Sequence, residues 1–265
     1  MNKTENRITH CFESLRAADK KALIAFVTGG DPDIETTEKL IIAMEAAGAD
    51  IIEIGIPFSD PIAEGTVIQA ASERALAAGC TVDKLFNMVK RLRAKTSVPL
   101  LFMTYANPIY AYGKERFMEN CVNAGIDGII VPDTPFEEKG EFSVVCDKHG
   151  VLLISLIAPT SGDRIKKIAD DAQGFVYCVS SLGVTGVRSS INTDIAALTE
   201  QIRQSASVPC AIGFGISTPE QAKKMAAVSD GVIIGSAIVN LVAEHGRDCV
   251  ENVKEFICQI RDGLG

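Results

Sequence analysis

ALIAFVTGGDPDIETTEKLIIAMEAAGADIIEIGI, residues 22–56, is the unit on which the whole chain is patterned. Its two ends, ALIAFVT (22–28) and DIIEIGI (50–56), are short apolar runs without alternation of buried and solvated residues. Strands read this way when both faces of a parallel sheet are covered. Between them, DIETTEKLIIAMEAAGA is amphipathic and closes on Ala-Gly, a helix stop that leads into the next strand. Strand, helix and parallel strand in succession make a right-handed crossover unit.

The same alternation spreads outward. Six more apolar runs follow: VPLLFMT (98–104), DGIIVP (127–132), VLLISLI (151–157), GFVYCVS (174–180), VPCAIGF (208–214) and DGVIIG (230–235). Helical segments such as TPEQAKKMAAV lie between them, and NAGID and KHGVL repeat the glycine stop. The pattern predicts one α/β domain over 1–265, a (β/α)8 TIM barrel. An extra N-terminal helix at 4–17 is expected under the barrel, and a short phosphate-binding helix after the eighth strand. A length of 265 residues suits a fold that takes about 250. An open doubly wound sheet is the alternative. It would carry GxGxxG after its first strand, and FVTGGDPD does not.

Composition excludes several classes. Hydrophobic residues make up 47%, enough for a large core, yet no run reaches the roughly 18 apolar residues of a membrane span. MNKTENRITHCFESLRAADKK is polar throughout, so no secretion signal and a cytoplasmic location are expected. The eight cysteines form no CxxC pair and read as reduced thiols. The net charge of −8, with acids and bases interspersed, argues against nucleic acid and anionic membranes as partners.

Phosphate-binding barrels often hold their ligand at the loops after strands 7 and 8. This chain has GFGIS (213–217) and GSAIVN (235–240) there, and GVTG (183–186) after strand 6. Glycines let backbone approach an anion, and Ser236 opens a short helix whose N–H groups are free. Glu53 stands inside an apolar strand. A carboxylate there is costly unless it is paired or has a task, and burial would raise its pKa into the range of a general acid–base. Asp60 and Glu64 follow on the loop IPFSDPIAEGT. No lysine occurs inside a strand run, which argues against Schiff-base chemistry. His10, His149 and His245 are not expected to form a metal-ligand set, and no metal or cofactor motif is found. The residues themselves lead to cofactor-free acid–base chemistry on a phosphate ester.

EIGIPFSDPIAEG, preceded by AFVTGGDP and followed by YCVSSLGVTG, GFGIS and GSAIV, resembles the tryptophan synthase α-subunit family, in order from about residue 4 to 260. The resemblance implies a lyase that cleaves indole-3-glycerol phosphate to indole and glyceraldehyde 3-phosphate for tryptophan biosynthesis. By it, Glu53 transfers protons and Glu64 is the second catalytic carboxylate, near the indole N1. Tyr177 orients that carboxylate, and Thr185 belongs to a closing loop. Gly186, Phe214, Gly215, Gly235 and Ser236 cradle the phosphate, while Phe26, Met103, Ile130 and Leu156 enclose the indole. A β subunit carrying pyridoxal phosphate (PLP) is the implied partner in an α2β2 heterotetramer. Its implied contacts are Pro57, Asp60, Asn107, Pro108, Asp133 and Pro135. The best-known members have Asp where this chain has Glu64, and Pro where it has Thr66. A weak α-like subunit that mainly activates its partner, a stand-alone lyase, or a related phosphate-ester barrel are the alternatives.

Overall fold

The computed structural model describes residues 6–179, 195–213 and 215–265. Its strands are β1 (Ala22–Thr28), β2 (Ile51–Gly55), β3 (Leu100–Met103), β4 (Gly128–Ile130), β5 (Leu152–Leu153), β6 (Ser155–Ile157), β7 (Val176–Val179), β8 (Cys210–Gly213) and β9 (Gly231–Ile234). All pair in parallel, in the order β5-β4-β3-β2-β1-β9-β8-β7-β6. The two ends of that order are the two halves of one run, so the sheet curls into a barrel.

Nine strands replace the eight expected because the fifth run is interrupted at Ile154. Its first half pairs with β4 (Ile129 with Leu153) and its second with β7 (Leu156 with Tyr177). Ile154 sits where the strand changes neighbour, and its N–H still donates to Ile129 O at 2.9 Å.

Side-chain parity explains the unbroken apolar runs. Leu23, Ala25, Val27, Ile52, Ile54, Leu100 and Phe102 pack outward into one cluster with the helices. Ala22, Ile24, Ile51, Leu101, Ile130, Ile154, Phe175, Ala211 and Ile233 fill the lumen. Both faces are covered, so nothing in these strands alternates with water. The N-terminal helix, Arg7–Ala17, inserts Ile8 and Phe12 into the bottom of the lumen, with Phe12 5.5 Å from Phe175 ring to ring. That is the bottom cover expected from residues 4–17. The glycine stops also behave as read: Gly125 and Gly150 end their helices in the left-handed region, at φ 90° and 70°. Among the described residues no helix is long and apolar enough to cross a membrane.

Candidate active site

Carboxylates at the two ends of this barrel are treated differently. At the N-terminal end of the strands, Asp127 accepts from Arg7 (2.8 Å), Arg93 (2.9 Å) and the Leu100 N–H (2.9 Å). Asp50 likewise accepts from Arg261 and, at 2.7 Å, from the Leu23 N–H. Toward the C-terminal end, Glu53 is 1% exposed and neither of its oxygens has a hydrogen-bond partner among the described residues. Oε2 of Glu64, which is 7% exposed, is also unpartnered. Buried polar groups are nearly always satisfied, so unpaired buried carboxylates point to a task other than folding.

β2 places Glu53 in the lumen between Phe26 of β1 and Leu101 of β3, its register partners. Glu64 reaches the same pocket from the loop after β2, one residue before the N-cap of the helix Thr66–Ala77. Burial pushes the Glu53 carboxyl up to about 8, and the negative charge of Glu64 adds to the effect. Burial pushes Glu64 up to about 7. Two acids that ionise in this range and feel each other can differ in state near neutral pH, one holding a proton and the other a charge. Tyr177, facing the lumen from β7, lies in the same pocket, and burial and the Glu53 charge keep its phenol protonated.

The other wall is suited to an anion. Gly215 has φ +78°, a conformation L side chains rarely adopt, and it lines the pocket with Gly235 and Ser236. Gly235 precedes the ten-residue helix Ser236–His245, and no side chain caps that helix. Its first-turn N–H groups, with the positive end of the helix dipole, face the pocket end. A Cβ on Gly235 would lie 3.3 Å from Phe26, so glycine also permits the close approach of strand end and ring.

Gly213, at the end of β8, is under a similar constraint: a Cβ there would stand 2.6 Å from the Tyr177 hydroxyl. Gly213→Ala is therefore expected to displace Tyr177 and to lower stability by about 1–3 kcal/mol, the usual cost of overpacking. Urea unfolding measures it, and an unchanged midpoint would show that the ring moves aside freely.

Of the residues expected at the site, Phe26, Glu53, Glu64, Met103, Tyr177, Gly215, Gly235 and Ser236 converge on this pocket. Thr185, Gly186 and Phe214 lie outside the described residues. Ile130 is packed in the lumen core, and Leu156 lines a neighbouring cavity of about 210 Å³ beside Phe136 and Lys139, so neither borders the pocket itself. Ile68 and Ile233 border it and were not anticipated. Ile233 was findable, standing two residues before Gly235 and so on the same face of its strand. Ile68 was not, because the orientation of its helix is a tertiary matter.

Of the expected partner contacts, Asp60, Asn107 and Pro135 are exposed, Pro108 and Asp133 half-buried, and Pro57 buried. In this chain Pro57 is buried and presents little surface. Ligand atoms of Glu115, Glu119 and His149 lie within 4.8 Å of one another on the outer surface. Sequence spacing could not show this, since the helices Lys114–Ala124 and Gly140–His149 bring them together. Glu115 Oε2 is already paired there with Lys148 (2.8 Å) and His149 (3.0 Å), and none of the three borders the pocket.

Comparison with known proteins agrees with this architecture. The family model described as "Tryptophan synthase alpha chain" matches residues 12–263. A tryptophan synthase alpha chain from Caldanaerobacter subterraneus subsp. tengcongensis is 48% identical over 261 residues, covering 98% of this chain and all of that one. The solved alpha subunit from Legionella pneumophila superposes with a TM-score of 0.88 at 37% identity, covering 98% of both chains. A chain from the solved tryptophan synthase a2b2 complex of Pyrococcus furiosus gives 0.85 at 37% identity, over 91% of this chain and 98% of its own.

Proposed function

The chain belongs to the tryptophan synthase alpha chain family, and we propose that Glu53 and Glu64 carry out the family's lyase reaction in the pocket at the top of its barrel. That reaction cleaves indole-3-glycerol phosphate to indole and glyceraldehyde 3-phosphate. One observation supports the assignment above the others: two buried carboxylates with oxygens unpartnered among the described residues share one apolar pocket with an uncapped helix start.

The substrate's indole is a poor leaving group until its C3 is protonated. Glu53, protonated near neutral pH, delivers that proton and leaves an indolenine with positive charge at its ring nitrogen. Glu64, as the carboxylate, stabilises the charge at N1. The Glu53 carboxylate then removes the proton of the side-chain hydroxyl. The C–C bond breaks, its electron pair returns to the indole ring, and the hydroxyl carbon becomes the aldehyde. Glu53 ends protonated, so the cycle balances without a cofactor in this chain. Tyr177 orients the carboxylates. Gly215, Gly235 and Ser236, together with Gly186 and Phe214, hold the phosphate through backbone N–H groups. Phe26 and Met103 hold the indole ring, with Ile130 and Leu156 supporting the apolar wall and Thr185 as a further substrate-orienting residue.

The partner is a β subunit in an α2β2 assembly, as in the P. furiosus complex, and PLP belongs to that subunit. Asp60, Asn107, Pro108, Asp133 and Pro135 are the proposed contact positions. Glu64 lines the pocket from its loop, which supports the reading that the longer side chain serves where the best-known members have Asp.

The direct test is release of indole from indole-3-glycerol phosphate by the purified chain, alone and with a β subunit. Absence of indole under both conditions would overturn the proposal. The pH dependence follows from the two carboxyls. Glu64 must be ionised, so kcat/KM rises with pH through about 7; Glu53 must be protonated, so it falls above about 8. The apparent values belong to the coupled pair. A profile that is flat between pH 6 and 9 would contradict the assignment.

A further inference from the structure

We propose that Tyr105 is a positioning residue for Glu64, holding the 57–65 loop over the pocket through its phenol oxygen. The inference rests on Glu64 being the second carboxylate of the reaction. The loop contains no helix or strand, and Ile62 near its middle is 75% exposed. Such a segment has little of its own to keep a carboxylate in place.

Tyr105 supplies what the loop lacks. It caps the helix Ala106–Tyr112 just after β3 and is only 2% exposed. Its oxygen accepts the Ala63 N–H at 3.1 Å, and the Ile62 N–H faces the same atom. Its ring lies 5.4 Å from the Phe58 ring. One buried side chain thus grips the loop at its beginning, through Phe58, and at its end, through Ala63, the residue before Glu64. Beyond Glu64 the chain is held as well: Gln69 Nε2 donates to Glu64 O at 2.8 Å, and Arg74 of the same helix pairs with buried Asp31 at 2.9 and 2.7 Å. Tyr105 is itself anchored, because the next N–H, that of Ala106, donates to the Asp133 carboxylate at 3.0 and 3.2 Å. Burial and the nearby charge of Glu64 keep the phenol neutral, so it places no second negative charge beside the carboxylate.

Removing the oxygen and keeping the ring separates positioning from packing. The experiment compares Tyr105→Phe, Glu64→Gln and the double variant in the full chain, measuring indole release against pH, with thermal melting as the control for folding. Displacing a catalytic group by about 1 Å can cost on the order of 100-fold, and loosening its loop costs less. Tyr105→Phe is expected to lower kcat about tenfold, to leave KM within about twofold, and to shift the low-pH limb assigned to Glu64. In the Glu64→Gln background the same change should cost nothing further. Phe58→Leu, which loosens the joint from the loop side, should move the same limb in the same direction. An unchanged kcat and low-pH limb in Tyr105→Phe overturns the inference, as does an equal further loss in the double variant. If Glu64→Gln is itself fully active, the assignment of Glu64 fails, independently of how Tyr105 behaves.

Discussion

Glu53→Gln is expected to cut indole release by about 10² to 10⁴, the contribution of a positioned acid–base group, while glycerol 3-phosphate still binds. The amide matches the carboxyl in shape but can neither give nor take the proton. A second effect separates this variant from a general loss of structure. The folded chain holds the Glu53 proton up to about pH 8, whereas the unfolded chain releases it near the ordinary glutamate value of 4.5. Between those values the folded state binds more protons than the unfolded one, so Glu53 makes stability fall as pH rises. Gln does not titrate. The melting temperature of Glu53→Gln should therefore gain on the wild type as pH goes from 5 to 8. Near-normal indole release would remove Glu53 from the reaction, and a melting difference independent of pH would contradict its raised pKa.

Gly215→Asp is expected to lower affinity for glycerol 3-phosphate at least about 100-fold by calorimetric titration. Two causes add. The φ of +78° disfavours any side chain at this position. The new carboxylate would also stand in the pocket beside Ser236 and the uncapped helix start, where it competes with the phosphate and repels it. Ser236→Ala is the contrasting variant. It keeps the backbone N–H groups and should weaken binding no more than about tenfold, near the lower end of the range for one lost hydrogen bond to a charged group. Normal binding by Gly215→Asp would put the phosphate elsewhere. Complete loss in Ser236→Ala would make the hydroxyl, not the backbone, the principal donor.

The barrel was legible in the sequence because its signals are local. Unbroken apolar runs and glycine stops repeat along the chain at the strand and helix periods, and parity then places Glu53 inside the lumen once Ile52 and Ile54 face the helices. Glycine at 215 likewise needs only the local backbone to be explained, whereas glycine at 235 also answers to the Phe26 ring, far away in sequence. The split of the fifth run at Ile154 was not legible. It arises where one strand exchanges β4 for β7, a consequence of closure that no window of sequence contains.

The sequence by itself thus determined the fold class, the end of the barrel where the candidate site lies, and the residue types that gather there. Only the tertiary structure decided which residues meet. It put Glu64 against Glu53, kept Ile130 and Leu156 out of the pocket lining, buried Pro57, and joined Tyr105 to Ala63 across 42 positions of chain. It also decided the chemistry. A carboxyl becomes an acid useful near neutral pH through the water it has lost and the charge it faces, and both depend on residues distant in sequence.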